Sequence, residues 1–341
     1  MGTVMVLERA TRTEEKLRRE FGQLVLNLME DERTEDIVLN PDGSLWVYRN
    51  GEGFVPVGQM SEEQAYSAVG TIASCRQTVI NHDHPILETE LPLNGARVEA
   101  LVPPVVRRPV FAIRMRPRKI FTLDDYEIAG ILTEKDDPLN AGAGHKSGFI
   151  ESVQGLGHAE IIKRAVAARM NILTVGATGV GKTALANAVL DAVAKVSPRD
   201  RVVTVEDTIE LRCAVKNYVD LRAIGNVSLD ACVRACLRLR PTRIVVGEVR
   251  GPEALQLLKS YATGHPGGVV TVHGNDARSG LIQLENLVAE ATSAPKQALI
   301  AETIHLVVFI DLEATIPAGR KVREVAVVTG YENGRYLLAY V

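Results

Sequence analysis

The chain has 341 residues, 46% hydrophobic and 24% charged, which is an ordinary globular composition with enough apolar residues for the cores of about two domains. Its formal net charge of −3 argues against a strongly basic nucleic-acid-binding protein, and no uncharged apolar run approaches the ~18 residues of a membrane-spanning helix. Glu8 and Arg9 arrive too early for a secretory apolar segment, so the chain is expected in the cytoplasm, with any membrane contact peripheral or through a partner.

In chain order, Thr13 to Met29 reads as an amphipathic helix, with Leu17, Phe21, Leu24 and Leu28 at three- and four-residue steps. Asp36–Asn40 and Leu45–Arg49 read as strands around the turn Pro41-Asp42-Gly43-Ser44, and Asn50-Gly51 leads into a third at Phe54–Val57. Ser61 with Gln64 predicts a capping box opening a helix to about Ile80. Strands follow at Leu87–Leu91, Ala96–Val102 and Val110–Met115. This half predicts a small α+β domain on an antiparallel sheet. A helix is expected near Leu123–Leu132. Asp136-Asp137-Pro138 and Ala141-Gly142-Ala143-Gly144 then read as a linker, which places a domain boundary near residue 140 (domains 1–140 and 141–341).

From a helix at His158–Arg169 onward, helices alternate with short apolar strands at Ile172–Val175, Val202–Glu206, Ile244–Val246 and Val269–Val272, the pattern of a largely parallel sheet. His305–Asp311, Val322–Thr329 and Tyr336–Val341 read as a terminal antiparallel addition with a hairpin turn at Asn333-Gly334. Cys232 and Cys236, four apart on a predicted helix, read as buried small apolar residues rather than half a metal site.

The strongest motif is Gly176-Ala177-Thr178-Gly179-Val180-Gly181-Lys182-Thr183, a phosphate loop between a strand and a helix. Its glycines let backbone N–H groups turn inward around a β-phosphate, and the helix N-terminus adds donors and a favourable dipole. Lys182 can then reach the β- and γ-phosphates and the Thr183 hydroxyl can hold Mg²⁺. Lys182 itself is expected to be a solvated loop side chain that adds little to stability. Three more stretches carry chemistry. Glu206-Asp207-Thr208-Ile209-Glu210 places carboxylates at the end of a buried strand, where ligands of parallel sheets bind. Arg243–Glu248 is an apolar strand ending in an acid: Glu248 can hold Mg²⁺ through a water, polarise the attacking water, or both. Gly264-His265 and Thr271-Val272-His273 bracket a glycine-rich turn and a strand, and His273 can sense a γ-phosphate or bridge subunits. Arg238, Arg240, Arg243 and Arg250 read as an arginine supply around the site.

These four stretches, in this order, resemble the secretion ATPase superfamily of type II and type IV secretion, with its Walker A loop, Asp box, Walker B Gly-Glu and His box. The run Leu237 to Gly251 is a close match, departing at Thr242, where the superfamily usually has Asp; Thr208 stands where proline is common. Pro85–Glu88, Gly95–Ala100 and Phe111–Arg114 are similar to its N-terminal domain, and the whole is most similar to the TrbB-like ATPases of conjugative transfer. The resemblance implies a RecA-like P-loop domain preceded by a smaller α+β domain. It implies ATP hydrolysis with Mg²⁺, and a homo-hexameric ring at the cytoplasmic face of the inner membrane. There it would meet secretion and conjugation machinery, with no sequence-specific nucleic-acid binding. By the same resemblance Arg97 and Arg114 reach the nucleotide from the N-terminal domain, and Lys182, Glu248, Glu206 and His273 are the candidate catalytic residues. A type II secretion or pilus motor of the same superfamily, and a small-molecule kinase sharing only the phosphate loop, are the alternatives.

Overall fold

The computed structural model describes residues 2–117, 121–132 and 142–341, so the expected boundary near residue 140 and the Asp136-Asp137-Pro138 segment lie outside the described residues. Helix α1 (Gly2–Glu30) is followed by strands β1 (Thr34–Leu39), β2 (Ser44–Arg49) and β3 (Gly53–Gln59) and helix α2 (Glu62–Cys75). Strands β4 (Ile86–Glu90), β5 (Arg97–Leu101) and β6 (Val110–Arg114) complete an antiparallel sheet in the order β3-β2-β1-β6-β5-β4. Side chains alternate across it with period two. Ile37, Leu39, Phe111 and Ile113 pack on α1 and α2, whereas Val38, Val110 and Ala112 face the other way. α1 is longer than its apolar stripe predicts and is broken at Gly22, whose φ of 70° and ψ of 169° leave the helical region. The Ser61–Gln64 capping box forms, but α2 stops at Cys75, where the chain turns through a left-handed Gln77 (φ 54°).

After α3 (Leu123–Ile128) come α4 (Gly142–Val153), α5 (His158–Ala167), β7 (Ile172–Val175), α6 (Lys182–Val196), β8 (Arg201–Glu206) and β9 (Asn217–Arg222). Next are α7 (Leu229–Arg238), β10 (Arg243–Val246), α8 (Glu253–Ala262), β11 (Val269–Val272), α9 (Ala277–Ala291), α10 (Gln297–Thr303), β12 (Leu306–Leu312), β13 (Arg320–Glu332) and β14 (Arg335–Tyr340). The sheet order is β14-β13-β12-β7-β11-β10-β8-β9. The fold is the expected α/β class, a mostly parallel sheet behind a smaller α+β unit. Three details differ from the sequence reading. Gly142 to Gly144 open a helix rather than a linker, because Phe149 and Val153 further along it pack on Ile161 and Ile162. β12 is not part of an antiparallel appendage: it runs parallel to β7 and only β13 and β14 are antiparallel. β9 escapes a hydrophobicity pattern because its Asn217 and Asp220 are buried polar residues. Cys232 and Cys236 are buried in α7, as expected.

Those two residues belong to the contact between the sheets. Arg201, fully buried at the start of β8, donates to Asn40 Oδ1 (2.5 Å) and Leu239 O (2.7 Å) and also contacts Asn217. Burial pulls its pKa down to about 9. Arg107 pairs with Asp220 at 2.7 Å and Arg240 with Asp36 at 2.9 Å, and the Arg240 guanidinium lies 4.2 Å from the centroid of the Tyr48 ring. Trp46, Phe54 and Val105 share one apolar core with Leu221, Val233 and Cys236.

Candidate active site

The phosphate loop leaves β7, a strand buried at every position, and passes under β12. A Cβ on Gly176 would lie 2.5 Å from Ile310 O and 2.7 Å from Val180 Cγ2, so only glycine lets the loop through. Gly179 (φ 80°) and Gly181 (φ 103°) supply the left-handed turns that aim the chain into α6. Gly181 caps α6 without a side-chain hydrogen bond, which leaves the first N–H groups of the helix for an anion. Val180 is buried below the loop.

Lys182 is not the solvated side chain expected. It is 8% exposed, and its ammonium donates to Gly176 O and Ala177 O, both at 3.1 Å. Burial lowers its pKa and the neighbouring Glu248 opposes that shift. Its third proton meets His273 Nδ1 at 3.2 Å, while His273 Nε2 lies 2.9 Å from Glu248 Oε1. An ammonium can only donate, so this network assigns the imidazole proton to Nε2, which donates to Glu248. Lys182 Nζ stands 3.7 Å from the same carboxylate oxygen.

The other oxygen of Glu248 is held by Arg250, with Nε at 2.6 Å and Nη2 at 2.5 Å, and Arg250 Nη1 reaches Asp207 Oδ2 at 3.0 Å. Arg250 therefore belongs to the site. Arg238, Arg240 and Arg243 do not: the first two precede β10 and Arg243 opens it, whereas the site lies beyond its C-terminal end. Arg238 pairs with Glu88, Arg240 with Asp36, and the buried Arg243 with Asp200 at 2.5 Å. Thr242 keeps a polar contact at the same far end, donating to Arg201 O at 3.0 Å.

Glu206 ends β8 against Gly247, in the cleft that Glu248 also lines. One oxygen accepts the N–H groups of Glu210 and Leu211, both at 3.0 Å, and the other has no hydrogen-bond partner. Burial raises its pKa above the usual carboxylate range, against those two backbone donors. A Cβ on Gly247 would fall 2.8 Å from Glu206 Cγ and 3.1 Å from Oε1, so glycine is required where many P-loop enzymes carry Asp. Thr271, named in the sequence only as part of the stretch ending in His273, fixes this turn by donating to Gly247 O at 2.6 Å. Its signal was its place two residues before His273.

Thr178, Gly179, Gly181, Lys182, Thr183, Glu206, Glu248 and His273 line one cleft of about 480 Å³, with Asp207, Glu210, Arg250 and Thr271 beside them. A cavity of about 1130 Å³ lies at the opposite end of the sheet, but it is largely apolar, and the convergent titratable groups are in the smaller cleft. Donors at a helix N-terminus suit phosphate. The oxygens of Thr183 and Glu248 suit a hard dication such as Mg²⁺, which takes one or two carboxylates together with substrate phosphates. Arg97 and Arg114 are not in this cleft. They are exposed cross-strand neighbours on β5 and β6, at the end of the N-terminal sheet where Arg114 also stands opposite Asp36 of β1 in the ladder, the residue that contacts Arg240 before β10.

Residues 152–319 match the family model described as type II/IV secretion system protein. The chain is 41% identical over 321 residues to a probable conjugal transfer protein TrbB of Sinorhizobium fredii, covering 94% of this chain and 91% of that protein. It is 30% identical over 315 residues to the type IV secretion system protein PtlH of Bordetella pertussis, covering 85% and 89%. The crystal structure of the VirB11 ATPase of the Brucella suis type IV secretion system has the same fold, with a TM-score of 0.82 at 22% identity over 94% of this chain and 96% of that one. With this fold, this site and these relatives, the chain belongs to the type II/IV secretion system protein family.

Proposed function

We propose that the chain is an ATPase that hydrolyses ATP to ADP and phosphate, with Mg²⁺, to power assembly of a conjugative pilus or transfer channel of a type IV secretion machine. The observation that carries the reading is the convergence of Lys182, Glu248 and His273 on one side of the phosphate loop, with Thr183 and Glu206 beside them. The names of the TrbB and PtlH relatives support the choice of machine.

The loop and the start of α6 bind the phosphates. Lys182 then exchanges two loop carbonyls for phosphate oxygens, and Arg250 exchanges Glu248 for the same charge. Both exchanges free the Glu248 carboxylate to take a proton from the attacking water, whose oxygen bonds to the γ-phosphorus as the bond to the β–γ bridging oxygen breaks; that oxygen leaves with ADP, and Glu248 returns the proton to the released phosphate or to solvent. His273 follows Lys182 and Glu248, so it registers whether a γ-phosphate is present. Thr183 and Glu248 would hold the Mg²⁺, which would supply charge neutralisation on the triphosphate.

The working form is a homo-hexameric ring at the cytoplasmic face of the inner membrane, beside inner-membrane secretion and conjugation proteins. Among the described residues no helix is long and apolar enough to cross a membrane. In the ring, Arg97 and Arg114 serve the nucleotide of an adjacent subunit. Two like charges directly opposite on a sheet are unfavourable, and a phosphate relieves them.

Glu248→Gln tests the chemistry. It keeps the shape and removes the charge, so ATP should still bind while phosphate release falls by about 10²–10⁴-fold, the range for a positioned base. Unchanged turnover removes Glu248 from the mechanism.

A further inference from the structure

Helix α3 is closed at both ends by its own residues. Thr122 and Asp125 form a capping box at the start. At the end Gly130 (φ 70°) takes the left-handed position, with Gly130 N donating to Glu127 O (2.9 Å) and Ile131 N to Tyr126 O (2.8 Å), a Schellman closure. Yet none of its residues is buried: Leu123 is 75% and Ile128 87% exposed, and Phe121, Tyr126, Ile131 and Leu132 are exposed as well. A helix of six residues is too short to persist in water on local bonds alone, so a sequence that caps it at both ends and leaves its apolar side chains bare requires a surface for it.

The chain carries such a surface. The 1130 Å³ cavity at the N-terminal end of the parallel sheet exceeds the roughly 300–1,000 Å³ of small-molecule sites. Its wall is apolar at Phe149, Met170, Ala298 and Tyr331. It also holds Lys146, whose ammonium donates to a carbonyl, Ala301 O at 2.8 Å. Glu302 is the one carboxylate among its described lining residues. Between Phe121 and Leu132 the chain has Asp124, Asp125 and Glu127 and no Lys or Arg, so helix and groove are complementary in polarity and in charge.

We propose that this groove receives helix α3 of a second copy of the chain. Helix and groove are two different patches, so the contact is head-to-tail and repeats from copy to copy until rotation closes a ring. The inference names the surface for the ring reading above and rests on it, but can fail alone.

The test uses the full chain with benzoylphenylalanine at Ile128, assembled from equal parts of ¹⁴N- and ¹⁵N-labelled protein, irradiated and mapped by mass spectrometry. Cross-links from residue 128 to the groove peptides around Phe149 or Ala298, half of them of mixed isotope, are expected. Cross-links to the groove within single copies only, or none to the groove in a sample that sediments as a ring, overturn the docking and leave the ring standing. A wild-type chain that stays monomeric at all concentrations overturns both. As a second arm, Ala298→Glu sets a carboxylate on the exposed rim against the acidic helix; it should weaken assembly at least 10-fold with the unfolding midpoint unchanged, and wild-type assembly by this variant counts against the proposal.

Discussion

Replacing Glu99 with Gln should stabilise this protein more at high pH than at low. Glu99 lies on β5 against the second half of the chain, 3% exposed, and one carboxyl oxygen has no hydrogen-bond partner. The cation that acts on it, Arg238, is engaged by Glu88 at 2.7 Å, and Glu88 sits directly across from Glu99. Burial pushes the Glu99 pKa from 4.5 up to about 8; Arg238 pulls it down and Glu88 pushes it further up. Between those two values the folded chain keeps the proton and the unfolded chain releases it. Stability is therefore lost as pH rises through that window, by about 1.4 kcal/mol per pH unit. At pH 7 the loss is about 3 kcal/mol from these values, and local relaxation brings the measurable part to about 1–3 kcal/mol. Gln has the same shape and does not titrate, so the Glu99→Gln advantage should grow steadily from pH 5 to pH 8. Urea unfolding followed by fluorescence of Trp46, the sole tryptophan and part of the same shared core, reads it directly. A stability difference that stays constant across that range refutes the argument that Glu99 is buried as the neutral acid.

Gly247→Ala should lower the unfolding midpoint by the equivalent of about 1–3 kcal/mol, the usual range for overpacking, and should reduce turnover. The reason is that Glu206 is pinned by two backbone N–H groups and cannot yield to the new methyl; calorimetry and phosphate release check it, and a fully stable, fully active variant contradicts it. Arg97→Ala and Arg114→Ala should each weaken ATP binding by the assembled protein about 10–150-fold while leaving ADP binding nearly unchanged, since a guanidinium–phosphate contact contributes about 1.5–3 kcal/mol. Equal losses for both nucleotides return the two arginines to an ordinary surface role.

The parts legible in the sequence were those in which a local requirement fixes the residue. Gly176, Gly179, Gly181 and Lys182 are each demanded by a backbone angle, a close approach or a phosphate, and the apolar runs of β7, β8, β10 and β11 could only be buried strands. What stayed hidden depended on contacts distant in sequence. β9 was obscured because Asn217 and Asp220 face Arg201 and Arg107 rather than solvent. The arginines before Walker B looked available to the site because a linear pattern does not say at which end of β10 a residue emerges. Gly247 looked like a departure from P-loop practice until Glu206 was seen packed against it.

The central claim is that the cleft around the phosphate loop hydrolyses ATP. Its most direct test is phosphate release from ATP with Mg²⁺, in the absence of any other acceptor, by the wild-type chain and by Lys182→Ala. Because Lys182 bonds its own loop carbonyls, the comparison requires that both proteins show the same cooperative unfolding without nucleotide. The account predicts steady release by the wild type and a loss of at least about 100-fold in the folded variant, as expected when a preorganised charge on the transferring phosphoryl group is removed. A folded Lys182→Ala protein that turns over ATP at the wild-type rate would contradict it, as would an assembled wild type that releases no phosphate.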